Sequence, residues 1–199
     1  MKHAVIFAHP NNPSFAASVA QTYAAAVEAL GHTVIIRDLY RMNFDPCLKP
    51  SEIPSEKAFG PEPDVVAERE MLKDVDVFAL IYPLWLYAPP AIMKGYMERV
   101  FGFGFAYGGD GHSYNPLLAG RKLISFSSSG SPFAWVQQTG AFDAIRTLFD
   151  SYFADLCGMT VLDHVHFGPM HPGASDVYVQ ARLEDVRKAA GRHFSKSPE

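Results

Sequence analysis

Apolar and polar residues fall into blocks whose period changes in a regular order along the chain. Residues 4–8 form a continuous apolar run closed by His9 and Pro10, the pattern of a strand buried on both faces. Phe15, Val19, Tyr23, Val27 and Leu30 then recur at helical spacing, with Asn12 or Ser14 as cap and Gly31 as stop. A second strand is predicted over 33–37. A Pro-rich connection follows over 39–63, a length that inside a compact domain accompanies function or a partner. Beyond it the pattern predicts a short helix over 64–73, a buried strand over 75–82 and a helix over 90–101. A Gly- and Tyr-rich loop covers 102–120. A strand over 122–127, a polar turn over 127–132, a long helix over 142–156, a strand over 160–167 and a closing helix over 177–194 complete the pattern. The tail from 195 is expected to fray.

Five strands alternating with helices predict an α/β protein, one domain over 1–199, with a doubly wound five-stranded parallel sheet and helices on both faces. Right-handed crossovers leave two common strand orders. The Rossmann order expects glycines after the first strand, and residues 9–14 (His-Pro-Asn-Asn-Pro-Ser) contain none. The flavodoxin-like order 2-1-3-4-5 is therefore expected, with its switch point between the first and third strands. Three loops converge there. The first feeds a helix N-terminus, where free N–H groups and the helix dipole favour an anion and where His9 and Ser14 add donors. An ordinary capped turn has the same composition. The second carries Trp85 and Tyr87 on a proline-stiffened backbone. That suits a flat ring with a polar edge, and equally a hydrophobic contact within the domain or with a second chain. The third, Ser127-Ser-Ser-Gly130, offers hydroxyls and N–H groups without the spacing of a nucleophile elbow.

Composition narrows the classes. A net charge of -4 over 199 residues excludes a nucleic-acid footprint. Only Cys47 and Cys157 are present, which gives neither a disulfide framework nor a zinc pattern. No apolar run is long enough for a membrane span or a secretory leader, so a cytoplasmic protein without membrane insertion is expected. His164 and His166 share one face of the fifth strand, with Asp163 and His171 nearby. A third ligand at a fixed short spacing is missing, so no metal site is assigned. Glu98 and Arg99 read as a solvated or interfacial ion pair.

Three stretches carry a family resemblance: Tyr82-Pro-Leu-Trp-Leu-Tyr-Ala-Pro-Pro-Ala-Ile-Met-Lys-Gly-Tyr-Met-Glu-Arg-Val-Phe101, Asp38-Leu-Tyr-Arg-Met-Asn-Phe-Asp-Pro46, and His9 with Ser14-Phe15. They resemble the NAD(P)H:quinone oxidoreductases of the DT-diaphorase type, specifically as far as Phe101 and more weakly to about Arg192. The resemblance implies a bound flavin, FAD with FMN as the alternative, and NAD(P)H as electron donor. It implies ping-pong hydride transfer through flavin N5 to a quinone-like small molecule. It also implies a homodimer with the active site at the subunit interface. His9, Ser14 and Phe15 match residues on the phosphate and adenosine side. Pro83, Leu84, Trp85, Leu86 and Tyr87 match residues against the ring, and Ser127, Ser128, Ser129 and Gly130 match those at its dione end. Pro61 and Pro63 match adenine-side positions, and Arg121 or Arg146 is a candidate for a 2′-phosphate.

Two departures stand out. Trp85 and Leu86 replace a Gln and a Trp of the best-known members. The family's Tyr and His relay residues fall by count on Trp135 and Ala141, and no Tyr or His occurs over 122–146. No catalytic residue is assigned: either another residue serves, such as His166 or His171, or the backbone and solvent suffice. Two other classes share such a pocket: an electron carrier of flavodoxin type, and an ancillary flavoprotein subunit of a potassium-efflux system.

Overall fold

The computed structural model describes residues 1–54, 59–109 and 113–195. Parts of the 39–63 connection, of the 102–120 loop and of the tail lie outside the described residues. The main sheet comprises β1 (Lys2–Phe7), β2 (Thr33–Asp38), β3 (Val77–Pro83), β6 (Lys122–Ser128) and β7 (Thr160–Phe167). All its pairs are parallel, in the order β2-β1-β3-β6-β7, which is the expected 2-1-3-4-5. A small antiparallel ribbon, β4 (Tyr107–Gly109) with β5 (Tyr114–Pro116), lies within the Gly- and Tyr-rich loop.

Strand alternation splits the core in two. Val5, Phe7, Val77, Ala79, Ile81, Ile124 and Phe126 face α1 (Phe15–Ala29) and α7 (Asp176–Phe194). Ala4, Ile6, Phe78, Leu80, Tyr82 and Leu123 face the other side. There the cover is α2 (Pro63–Leu72), α3 (Ala91–Val100) and the helical stretch after β6. Ser14 is the cap of α1: its hydroxyl accepts from Ala17 N–H at 3.1 Å and its carbonyl from Ser18 N–H at 3.0 Å.

The long helix expected over 142–156 departs from the pattern in two ways. A separate six-residue helix, α4 (Phe133–Gln138), precedes it. The helix itself changes winding, from α5 (Ala141–Ile145) through a π-helical stretch at Arg146–Ser151 to α6 (Tyr152–Cys157). The wider π turn rotates Asp150 inward, where it is buried.

Arg99 ties described parts of the connection over 39–63 to α2 and α3. Arg99 is buried, and its guanidinium donates to Glu52 at 2.9 Å, to both carboxylate oxygens of Asp64 at 2.8 and 2.9 Å, and to the Asp45 carbonyl at 2.6 Å. Burial alone would lower its pKa; the hydrogen bonds it donates to the Glu52 and Asp64 carboxylates, and their charge, outweigh that and raise it. The expected Glu98–Arg99 pair is therefore corrected. Consecutive helical residues point in different directions, so Glu98 meets Lys94 one turn back while Arg99 turns inward. Among the described residues, no helix is long and apolar enough to cross a membrane.

Candidate functional site

The carboxyl ends of β1, β3, β6 and β7 enclose a cavity of about 550 Å³. It opens at the switch point between β1 and β3, where open α/β sheets bind ligands. His9, Ser14 and Phe15 line it from the first loop, Pro83, Leu84 and Trp85 from the second, and Ser128, Ser129 and Gly130 from the third. Leu86, Tyr87 and Ser127 do not line it.

The first loop presents the head of α1. With Ala17 and Ser18 satisfied by Ser14, the first-turn N–H groups of Phe15 and Ala16 remain for a ligand, and both residues line the cavity. His9 Nδ1 lies 3.1 Å from the Asn11 N–H and 3.2 Å from the Asn11 carbonyl, which holds the ring at the cavity wall. Arg41 ties the loop down through the Pro10 carbonyl at 2.9 Å.

The second loop is a tight turn. Trp85 N–H bonds the Ala88 carbonyl at 3.0 Å and Ala88 N–H the Trp85 carbonyl at 3.2 Å. Between them Leu86 and Tyr87 both adopt left-handed backbone, with φ of 52° and 57°. This is a type I′ hairpin turn built without the Gly or Asn it normally uses. The Leu84 N–H is also committed, to the Ser128 carbonyl at 2.6 Å. The turn therefore leaves its two central N–H groups, those of Leu86 and Tyr87, outside its own bonding. The Leu86 side chain is fully exposed, while Tyr87 donates or accepts at Ser131 Oγ (2.7 Å) and leans on Trp135.

Ser127 serves a different purpose from the one the resemblance implies. Its hydroxyl is buried between His164 Nε2 at 2.7 Å and His166 Nδ1 at 2.8 Å. His164 Nδ1 lies 2.6 Å from Asp150 Oδ2, whose other oxygen accepts from Ser125 at 2.7 Å. His166 Nε2 lies 2.9 Å from Ser129 Oγ, which also reaches the Ser131 carbonyl at 3.0 Å. The register that sets these pairs comes from a bulge. Leu123 pairs with Val161 but Ile124 with Asp163, so His164 and His166 stand opposite Ser125 and Ser127. Asp163 points away to Arg192 and His193, and His171 bonds the Pro172 carbonyl. Burial first, and then the charge of His164, lowers the His166 pKa to about 4.

The fourth wall was legible in the sequence only at His171, considered there as a relay residue. Met170, His171, Pro172, Gly173 and Ala174, between β7 and α7, line the cavity in a stretch without periodicity or motif. Asp150 was hidden because only the π turn brings it inward. The cations considered for a 2′-phosphate lie elsewhere. Arg121 precedes β6, at the opposite end of the sheet, where it bonds the carbonyls of Leu72 and Lys73, and Arg146 stacks over Phe142. Pro61 and Pro63 do not line the cavity.

A parallel sheet in this order, with an anion-ready helix head and a strained aromatic turn at its switch point, defines a protein of the flavodoxin-like class. The sequence pattern of the family described as flavodoxin-like fold matches residues 1–190, and the chain belongs to that family. It is 32% identical over 173 residues to an uncharacterised NAD(P)H oxidoreductase of Haemophilus influenzae, covering 86% of this chain and 85% of that one. It is 28% identical to rat NAD(P)H dehydrogenase [quinone] 1, covering 97% of this chain and 80% of the rat protein. Among solved structures, NAD(P)H:quinone oxidoreductase from Methanothermobacter marburgensis superposes with a TM-score of 0.86 at 28% identity. That match covers 100% of this chain and 99% of the other.

Proposed function

We propose that this chain is a flavin-dependent NAD(P)H:quinone oxidoreductase, working as a homodimer on flat quinone-like acceptors. The observation that carries the reading is the I′ turn at Trp85–Ala88, opposite the head of α1 across one cavity. Non-glycine residues in left-handed backbone are costly, and such strain gathers at functional sites. Full-length similarity to proteins bearing that activity's name supports the same reading.

The walls fit a flavin. The N–H groups of Phe15 and Ala16, with the Ser14 hydroxyl and the His9 ring, would hold its phosphate, favoured by the dipole of α1. Pro83, Leu84 and Trp85 would form one side of the ring's slot. Leu86 and Tyr87 follow Trp85 on the turn, outside the lining, and their N–H groups would donate to the ring's polar edge where it projects past Trp85; preorganised donors there would stabilise developing negative charge. Ser128 and Ser129 would meet the other end of the ring. When bound, the flavin supplies hydride acceptance from NAD(P)H and hydride donation to the acceptor. The lining supports a ring and its phosphate and includes neither Pro61 nor Pro63, so FMN and FAD are distinguished by the released cofactor.

The test is a visible spectrum of the purified protein during anaerobic addition of NADPH and then of a benzoquinone, with the released cofactor identified by chromatography. Bleaching followed by recovery is expected. A yellow protein that neither NADPH nor NADH bleaches would remove the reductase reading, and a colourless protein that takes up neither flavin would remove the site assignment.

A further inference from the structure

Buried polar side chains are satisfied by partners, but most do so in isolated pairs. Here they form an unbroken row from the core to the cavity: Asp150, His164, Ser127, His166 and Ser129. Ser129 lines the cavity, and Asp150 lies at the buried end. Every link falls between 2.6 and 2.9 Å.

The row has two complete hydrogen-bond arrangements that differ by one proton. In the first, His164 carries protons on both nitrogens, donating to Asp150 and to Ser127 Oγ. Ser127 then donates to His166 Nδ1, His166 Nε2–H to Ser129, and Ser129 to the Ser131 carbonyl. In the second, His164 keeps only its Nδ1 proton. The three links from His164 to Ser129 then reverse: Ser129 donates to His166 Nε2, His166 Nδ1–H to Ser127, and Ser127 to His164 Nε2. Hydroxyl groups, being both donors and acceptors, make the reversal possible without moving a heavy atom.

We infer that Ser129, His166, Ser127 and His164 are a proton wire, carrying one proton between the cavity and the buried His164–Asp150 pair. The inference rests on the reading of the cavity as the redox site. In the delivering direction the His164 Nε2 proton passes to Ser127 Oγ, and the hydroxyl proton of Ser127 passes to His166 Nδ1. The His166 Nε2 proton passes to Ser129 Oγ, and the hydroxyl proton of Ser129 goes to an acceptor in the cavity. One proton leaves, and none of the four side chains is left charged. The reaction needs such a supply: NAD(P)H, one proton and a quinone give NAD(P)⁺ and the quinol. The stretch over 122–146, which contains no Tyr or His, leaves the supply to other elements.

The surroundings suit conduction. Phe133 and Phe142 flank His166, and burial disfavours its charged form, so a proton passes through this ring rather than resting on it. Tyr82 faces His164 from β3; its buried hydroxyl has no hydrogen-bond partner among the described residues. Burial, and then the charge of Asp150, raises its pKa well above 10, so it stays protonated. Gly168 keeps the exit narrow and open: a Cβ there would fall 2.3 Å from the Ser131 carbonyl oxygen and 3.1 Å from Ser129 Oγ.

The test reads tautomers in the cofactor-free protein. Long-range proton–nitrogen NMR of ¹⁵N-histidine protein, followed across the pH range of the folded state, should show His166 switching from Nδ1–H to Nε2–H as His164 gains its second proton. In Ser127→Ala the two rings should lose this coupling. In Ser129→Ala, cut at the exit only, they should keep it. With flavin bound, both variants should slow reoxidation by quinone on the order of 10²-fold, and in Ser127→Ala, whose side chain does not line the cavity, reduction by NAD(P)H should stay unchanged. A His166 that holds one tautomer throughout would overturn the wire, whether or not His164 titrates. Quinone reoxidation at the parent rate in Ser129→Ala would overturn it too, leaving His9 or His171 at the cavity wall as the source. If Ser127→Ala does not fold, the parent protein and Ser129→Ala still decide. If the protein binds no flavin, the redox reading falls while the tautomer measurement still judges the wire.

Discussion

Leu86 and Tyr87 carry the clearest residue-level tension in the molecule. An L-residue in left-handed backbone costs roughly 1–2 kcal/mol, and Asn bears that conformation better because its side chain bonds locally. The Leu86 side chain is fully exposed, so its removal forfeits no packing. Leu86→Asn should therefore raise stability by about 0.5–1 kcal/mol, read as a higher urea midpoint. An unchanged or lower midpoint would mean that the turn is not strained. The proline stiffness of this loop was legible in the sequence. Its turn type was not, because the usual marker of an I′ turn is Asn-Gly and Leu-Tyr gives the opposite signal.

His3 sets a second residue-scale expectation, at the far end of the sheet. Its ring is buried, with Nδ1 2.9 Å from the Tyr23 hydroxyl and Nε2 2.8 Å from His32 Nδ1. Burial, then the positive charge of His32 and of the N-terminal amine, lowers its pKa from 6.5 to about 4; Asp76 opposes this and Lys122 adds to it. The folded state thus refuses a proton that the unfolded chain accepts. The contribution is intact above about pH 6.5 and is lost as pH falls toward 4, by up to roughly 3 kcal/mol. His166 is shifted in the same direction and steepens the same window. Urea unfolding at pH 7 and pH 5 should show the loss, and His3→Gln should flatten it. A stability independent of pH across this window would contradict the burial argument.

At the scale of elements, α3 shows how close packing overrides local preference. Gly95 lies inside that helix, where Ala is favoured by about 1 kcal/mol. A Cβ there would sit 2.2 Å from the Pro46 carbonyl oxygen and 2.6 Å from its Cα, backbone atoms of the residue that follows the Asp45 carbonyl held by Arg99. Overpacking of this kind costs about 1–3 kcal/mol and wins over propensity. Gly95→Ala should lower stability by up to about 2 kcal/mol net, measured by denaturant titration. A gain would mean that the connection over 39–63 yields freely. The same scale explains what the sequence withheld. The five strands were legible because runs such as 4–8 are apolar on both faces. The winding change at Arg146–Ser151 was not, because a π turn leaves no compositional trace, and α4 is too short for periodicity to register.

For the whole molecule, the same helical stretch has a second face. While Asp150 turns inward, Leu148 and Tyr152 stand 57% and 67% exposed, one turn apart. Beside them Tyr114 is 72% and Leu117 49% exposed, and Leu118 N–H ties their segment to the Cys157 carbonyl at 3.0 Å. Exposed apolar side chains on one helical stretch suit the subunit contact of the proposed homodimer, and a two-fold pairing would place the same residues on both subunits. Trp135 of α4 is also exposed and leans on Tyr87 at the turn of the second loop, so a partner that covered both groups would extend over that turn. Light scattering should give twice the 22.0 kDa chain mass. Leu148→Lys with Tyr152→Glu should give one chain mass, with a folded core and weaker flavin retention. A dimer that survives the double substitution would place its interface on another face. A monomer that holds flavin as tightly as the parent would mean that one chain completes the cavity, and that the exposed rings serve association alone.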